Sequence, residues 1–101
     1  MWAAMARQRG TNLKTEPISH CTPERVAALD AALAQVRAEV LRAIERYPAF
    51  NSSHEGYAVI AEELDELWDD VKRNFPQGAR EEAIQVAAMG VRFIMDVKVP
   101  A

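Results

Sequence analysis

The chain has one cysteine, Cys21, in 101 residues. That excludes an intrachain disulfide and a cysteine-based zinc site. It fits a reducing compartment, and cytoplasmic localisation is the expectation. Aromatic residues are also scarce, at 7%, although half of the chain is hydrophobic. The apolar content therefore rests on Ala, Leu and Val, which together with Glu and Arg favour helices. Basic residues are outnumbered, 12 Lys and Arg against 15 Asp and Glu, for a net charge of -3. Nonspecific nucleic-acid binding needs a concentrated basic surface, so no nucleic-acid partner is expected. Long apolar runs are missing as well. The stretch from Trp2 to Met5 is too short for a signal-peptide core. No segment approaches the ~18 apolar residues that cross a bilayer, so no membrane partner is expected.

What is present organises into helices. Residues 1–21 show no sustained period and read as a flexible N-terminal leader, followed by a single domain over 22–101. Thr22-Pro23-Glu24 marks a helix start, with Thr22 as cap and Pro23 at the first helical position. Val26, Leu29, Leu33, Val36, Val40, Ile44 and Tyr47 then form an apolar stripe that should stop before Pro48. Ser52-Ser53-His54-Glu55 matches a capping box, with Glu55 reaching back to the cap. The second helix should run to about Asn74, with Tyr57, Ile60, Leu64, Leu67, Trp68 and Val71 as its core face. Pro76-Gln77-Gly78 reads as a break. A third helix is expected from about Ala79 to Val97, carrying Ile84, Ala87, Ala88, Val91, Ile94 and Met95 inward. No segment alternates as a strand. The expected fold class is all-α, with the first two helices antiparallel and the third returning across a short link.

The third helix has a second apolar face, Val86, Gly90, Phe93 and Val97. Polar groups are left in a narrow strip that includes Glu81, Glu82, Gln85, Arg92 and Asp96. A helix apolar nearly all round is buried nearly all round. Two partner helices cannot cover it, so the three-helix unit is expected to form an oligomeric helical bundle, a homodimer or homotetramer.

The densest chemistry lies at residues 62–70, where Glu62, Glu63, Asp65, Glu66, Asp69 and Asp70 place six carboxylates in nine residues. Like charges three or four apart on a helix repel. Such acids either line a solvated face or are neutralised by a cation. Glu62 and Asp69 should point into solvent. Val59, Glu63, Glu66 and Asp70 form a separate flank, and its apolar Val59 indicates that it is partly covered.

Glu62-Glu63-x-x-Glu66-Leu67 on one helix, then Glu82-Ala83-Ile84-Gln85 on the next, resembles the MazG-like all-α nucleoside triphosphate pyrophosphohydrolases. That superfamily carries E-x-x-E followed by E-x-x-D. The flanking strings, His54-Glu55-Gly56-Tyr57-Ala58-Val59-Ile60 and Glu81 through Met89, look most like its short phage and prophage members. The likeness runs from His54 to Asp96. It implies helical dimers or tetramers that bind Mg²⁺ and cleave a nucleoside triphosphate between the α and β phosphates. By position, Glu63, Glu66 and Glu82 match the metal-binding acids. Gln85 stands where the family has Asp, so it offers an amide oxygen without charge. Glu62 or Glu63 would serve as the base toward the attacking water. Arg92 and Lys72 are candidates for the phosphates, because the chain ends soon after the third helix, where larger relatives continue into a helix with basic groups. Arg92 could instead simply pair with Asp96. Two functions follow. One is a Mg²⁺-dependent hydrolase yielding a (d)NMP and pyrophosphate. The other is a catalytically inactive MazG-like module acting in protein interaction or assembly.

Overall fold

The computed structural model describes residues 19–100, and most of the expected leader lies outside them. Three helices make up the described chain: α1 (Pro23–Arg46), α2 (Ser53–Lys72) and α3 (Pro76–Asp96). No strand occurs among the described residues. No helix among them is long and apolar enough to cross a membrane.

The helix starts follow local chemistry. Thr22 Oγ1 accepts from the Arg25 N–H, and Pro23 occupies the first turn of α1. Tyr47 is already extended, as a residue before proline should be. At α2, Ser52 Oγ accepts from the Glu55 N–H at 3.1 Å. The reciprocal arm differs from expectation, since Glu55 Oε1 accepts from the Asn51 N–H at 3.0 Å instead of from the cap. α2 ends two residues early. Asn74 takes a left-handed φ of 55°, and the Phe75 N–H reaches back to the Asp70 carbonyl at 3.0 Å. That closes the helix with an αL residue, for which Asn is among the few tolerant side chains. The link is therefore only Arg73, Asn74 and Phe75. Pro76, expected to break the chain, instead begins α3, where its missing N–H costs nothing.

The packing also departs from the sequence expectation. α3 packs against both α2 and α1, whereas the backbones of α1 and α2 do not approach each other closely. The reason lies in the α1–α2 link. Phe50 is buried, and its N–H donates to Asp96 Oδ2 at 3.0 Å. This pins the link to the C-terminal end of α3, and α1 departs from there. The core is small: Val40, Ala43, Phe50, Ala88 and Met89, with Val36, Val59, Ile60 and Phe93 packed on it.

Of the α1 stripe only Val36 and Val40 join that core, while Val26, Ile44 and Tyr47 are exposed. Leu29 and Leu33 are each 55% exposed. On α2, Ile60 and Leu67 are half-buried, but Tyr57, Leu64, Trp68 and Val71 face outward. α3 is turned round from expectation. Its polar strip faces inward, with Met89 and Arg92 buried and Glu82, Gln85 and Asp96 half-buried. Of the face expected to be core, Ala88 is buried and Ile84 half-buried, while Ala87, Val91, Ile94 and Met95 lie outside. At its C-terminal end the inward strip meets the link, where the Pro48 carbonyl accepts from Arg92 and the Phe50 N–H donates to Asp96, which compensates the burial of those two side chains.

Candidate metal centre

Glu63 and Glu66 lie three residues apart on α2 and therefore share a face. Glu82 stands on the inner face of α3, just beyond the tight link. Each offers a carboxylate oxygen, and these oxygens all lie within 4.8 Å of one another. Glu63 and Glu82 are half-buried and Glu66 is exposed. Glu82 Oε2 is buried and has no hydrogen-bond partner.

The electrostatic consequence is large. Burial, with the nearby Glu66 and Glu82 carboxylates adding to it, pushes the Glu63 carboxyl up to about 7. Burial also raises Glu82, again reinforced by Glu66. In the metal-free protein Glu63 and Glu82 therefore keep their protons to higher pH than ordinary carboxyls, because they are partly withdrawn from water beside other acids. A helix face that merely solvates its acids would show neither the buried orphan oxygen nor the raised pKa.

The other anticipated residues are distributed around this cluster. Glu62 is exposed and takes no part in it. Gln85 lines a cavity of about 450 Å³ bounded by α1, the link, α2 and α3, and Glu63 lines the same cavity. Lys72 pairs with Asp69 at 3.3 Å and lies 5.7 Å from the Trp68 ring centroid. It borders an open cleft of about 670 Å³ with Glu66, Glu82 and Arg73. Arg92 is only 4% exposed, donates to the Pro48 carbonyl at 2.7 Å and stacks 4.7 Å from the Phe50 ring centroid. Asp96 lies 4.0 Å from it, as the i, i+4 spacing allowed. Of the flank Val59, Glu63, Glu66 and Asp70, three residues are half-buried as Val59 indicated, and Glu66 is exposed.

Sequence reasoning missed the α1 side of the cavity. Glu39, Arg42 and Arg46 all line it, with Glu39 and Arg42 paired. Their spacing of three and four along one side of the α1 terminus was the available signal. It reads equally well as basic residues complementing the helix dipole.

Comparison of the chain with protein-family models, curated proteins and solved structures finds no match.

Proposed function

We propose that this chain is a Mg²⁺-dependent nucleoside triphosphate pyrophosphohydrolase, converting a (d)NTP to a (d)NMP and pyrophosphate. The observation that carries the reading is the convergence of Glu63, Glu66 and Glu82 from two helices within 4.8 Å, with one Glu82 oxygen buried and orphaned. Buried carboxylates without partners are costly, and a cation removes that cost. An oxygen-only donor set suits a hard divalent ion such as Mg²⁺. The resemblance of the E-x-x-E and Glu82 pattern to MazG-like enzymes points to the same chemistry.

Glu66 and Glu82 would hold the ion, with Glu63 completing the protein's share. When bound, Mg²⁺ supplies neutralisation of polyphosphate charge and acidifies a water for in-line attack at the α phosphorus. Glu63 also borders the cavity and would offer a carboxylate oxygen to the proton of the attacking water. Glu62, exposed and outside the cluster, is less suited to that role.

The protein is further proposed to work as a homo-oligomer, most simply a homodimer. Tyr57, Leu64, Trp68, Val71 and Phe75 run along one exposed line at helical spacing, and Ala87, Val91 and Ile94 along another. Apolar stripes of this extent call for a partner surface. The same stripes favour the alternative, a non-catalytic module used in assembly.

Pyrophosphate release from a panel of canonical and modified (d)NTPs with Mg²⁺, beside a Glu63→Gln control, decides between the two. Release by the parent and not by the control is the expected result. Release by neither leaves the assembly module.

A further inference from the structure

The carboxylate cluster separates two recesses of different character. On one side is the cavity reached by Glu63 and Gln85, with apolar walls from Ala43, Phe50, Val59 and Met89. On the other is the open cleft, reached by Glu66 and Glu82, with Asp69, Asp70, Lys72 and Arg73 and no apolar residue in its lining. Resting on the nucleotide-hydrolase reading, we infer that the substrate lies across the cluster in one direction. Its nucleoside enters the cavity, where Gln85 meets the base or sugar instead of the metal, and its departing diphosphate lies over the cleft beside Lys72 and Arg73.

Three physical points set this direction. A nucleobase needs apolar surface for its faces and a few polar groups for its edge, and of the two recesses beside the cluster the cavity offers both. The amide of Gln85 can donate and accept, which suits a base edge or a sugar hydroxyl.

The most buried cation of the cavity is already engaged, since Arg92 is committed to Pro48 and Asp96.

In the cleft, Lys72 and Arg73 are largely exposed and held only by Asp69 and Asp70, three residues back on the same helix. Exposed pairs of that kind are weak and re-form readily around a phosphate, which offers charge-assisted hydrogen bonds. The four acids of the cleft exceed its two cations, and one divalent ion restores the balance.

The test is calorimetric titration of the full chain in Mg²⁺ with two probes, imidodiphosphate and a panel of nucleoside 5′-monophosphates. The Lys72→Ala/Arg73→Ala double variant should weaken imidodiphosphate about tenfold and change the best monophosphate by less than about twofold. Gln85→Leu should do the reverse, again about tenfold on the monophosphate, with Mg²⁺ affinity unchanged. Circular dichroism of each variant verifies the helices. If Gln85→Leu weakens imidodiphosphate or Mg²⁺ as much as the monophosphate, or if the double variant acts mainly on the monophosphate, the orientation is wrong and the hydrolase reading stands. If neither variant changes either probe, the orientation is likewise wrong. A parent that binds neither probe overturns both.

Discussion

Arg92 Nη2 donates to the carbonyl oxygen of Pro48, 2.7 Å away, from the inner face of α3 to the link between α1 and α2. With the Phe50 N–H held by Asp96 Oδ2, the pair clamps the link that forms one wall of the cavity. Arg92→Ala leaves Asp96 half-buried without its cation and the Pro48 carbonyl without its donor. The expected loss is about 3 kcal/mol in urea denaturation, with Arg92→Lys losing less. Unchanged stability together with weakened nucleotide binding would return Arg92 to the role of phosphate ligand.

Two glycines give opposite expectations. A Cβ on Gly56 would come within 2.6 Å of Phe93 Cδ2 and 3.2 Å of Phe50 Cδ2, whereas at Gly90 it would meet nothing within 4 Å. Gly56→Ala gains about 1 kcal/mol of helix propensity but forces two rings to move, at a cost of about 1–3 kcal/mol. Gly90→Ala gains the propensity alone. The first should lower Tm and the second raise it. The reverse order in thermal melts would show that the α2–α3 contact is looser than described.

The raised pKa values of Glu63 and Glu82 fix the sign of the pH dependence. From the ordinary 4.5 up to about 7, Glu63 in the folded chain keeps a proton that the unfolded chain releases. Its contribution is whole below 4.5 and is lost as pH rises through about 7, and Glu82, also raised, acts in the same direction. In a chelator, Tm should therefore fall between about pH 5 and pH 8. Mg²⁺ should restore it, more at the upper end, because the ion competes with protons for the same oxygens. Glu82→Gln should raise the metal-free Tm at the higher pH and abolish the Mg²⁺ response. A pH-independent melt without metal would contradict the closeness of the three acids.

Catalysis and folding should separate at the cluster. Glu63→Gln and Glu66→Gln keep the side-chain shape and remove charge, so helical circular dichroism should persist while pyrophosphate release is lost. Turnover retained by either variant would overturn its assigned role.

Ile94, 79% exposed, and Trp68, 57% exposed, test the outer stripes. Ile94→Glu or Trp68→Glu should shift the sedimenting species toward the monomer with helicity kept, since burying an unpaired charge at an apolar interface is costly. A parent already monomeric at micromolar concentration would remove the self-association proposal.

Helix identity was legible residue by residue. Thr22 and Ser52 accept the N–H groups expected of caps, and Pro48 ends α1 where its steric demand requires. The pairing of Glu63 with Glu66 followed from helical spacing alone. Local rules also misjudged Pro76, because the same residue that ends one helix is suited to open the next.

The sequence by itself determined three amphipathic helices and the acids they carry, because backbone periodicity and capping act within a few residues. Which face of α3 turns inward was decided only in the tertiary structure. Apolar and polar strips both had claims, and the choice fell to distant partners: Pro48 for Arg92 and the Phe50 N–H for Asp96. Those contacts span up to 46 residues of chain. No local pattern encodes them, since hydrogen-bond satisfaction of buried polar groups depends on what the fold brings opposite.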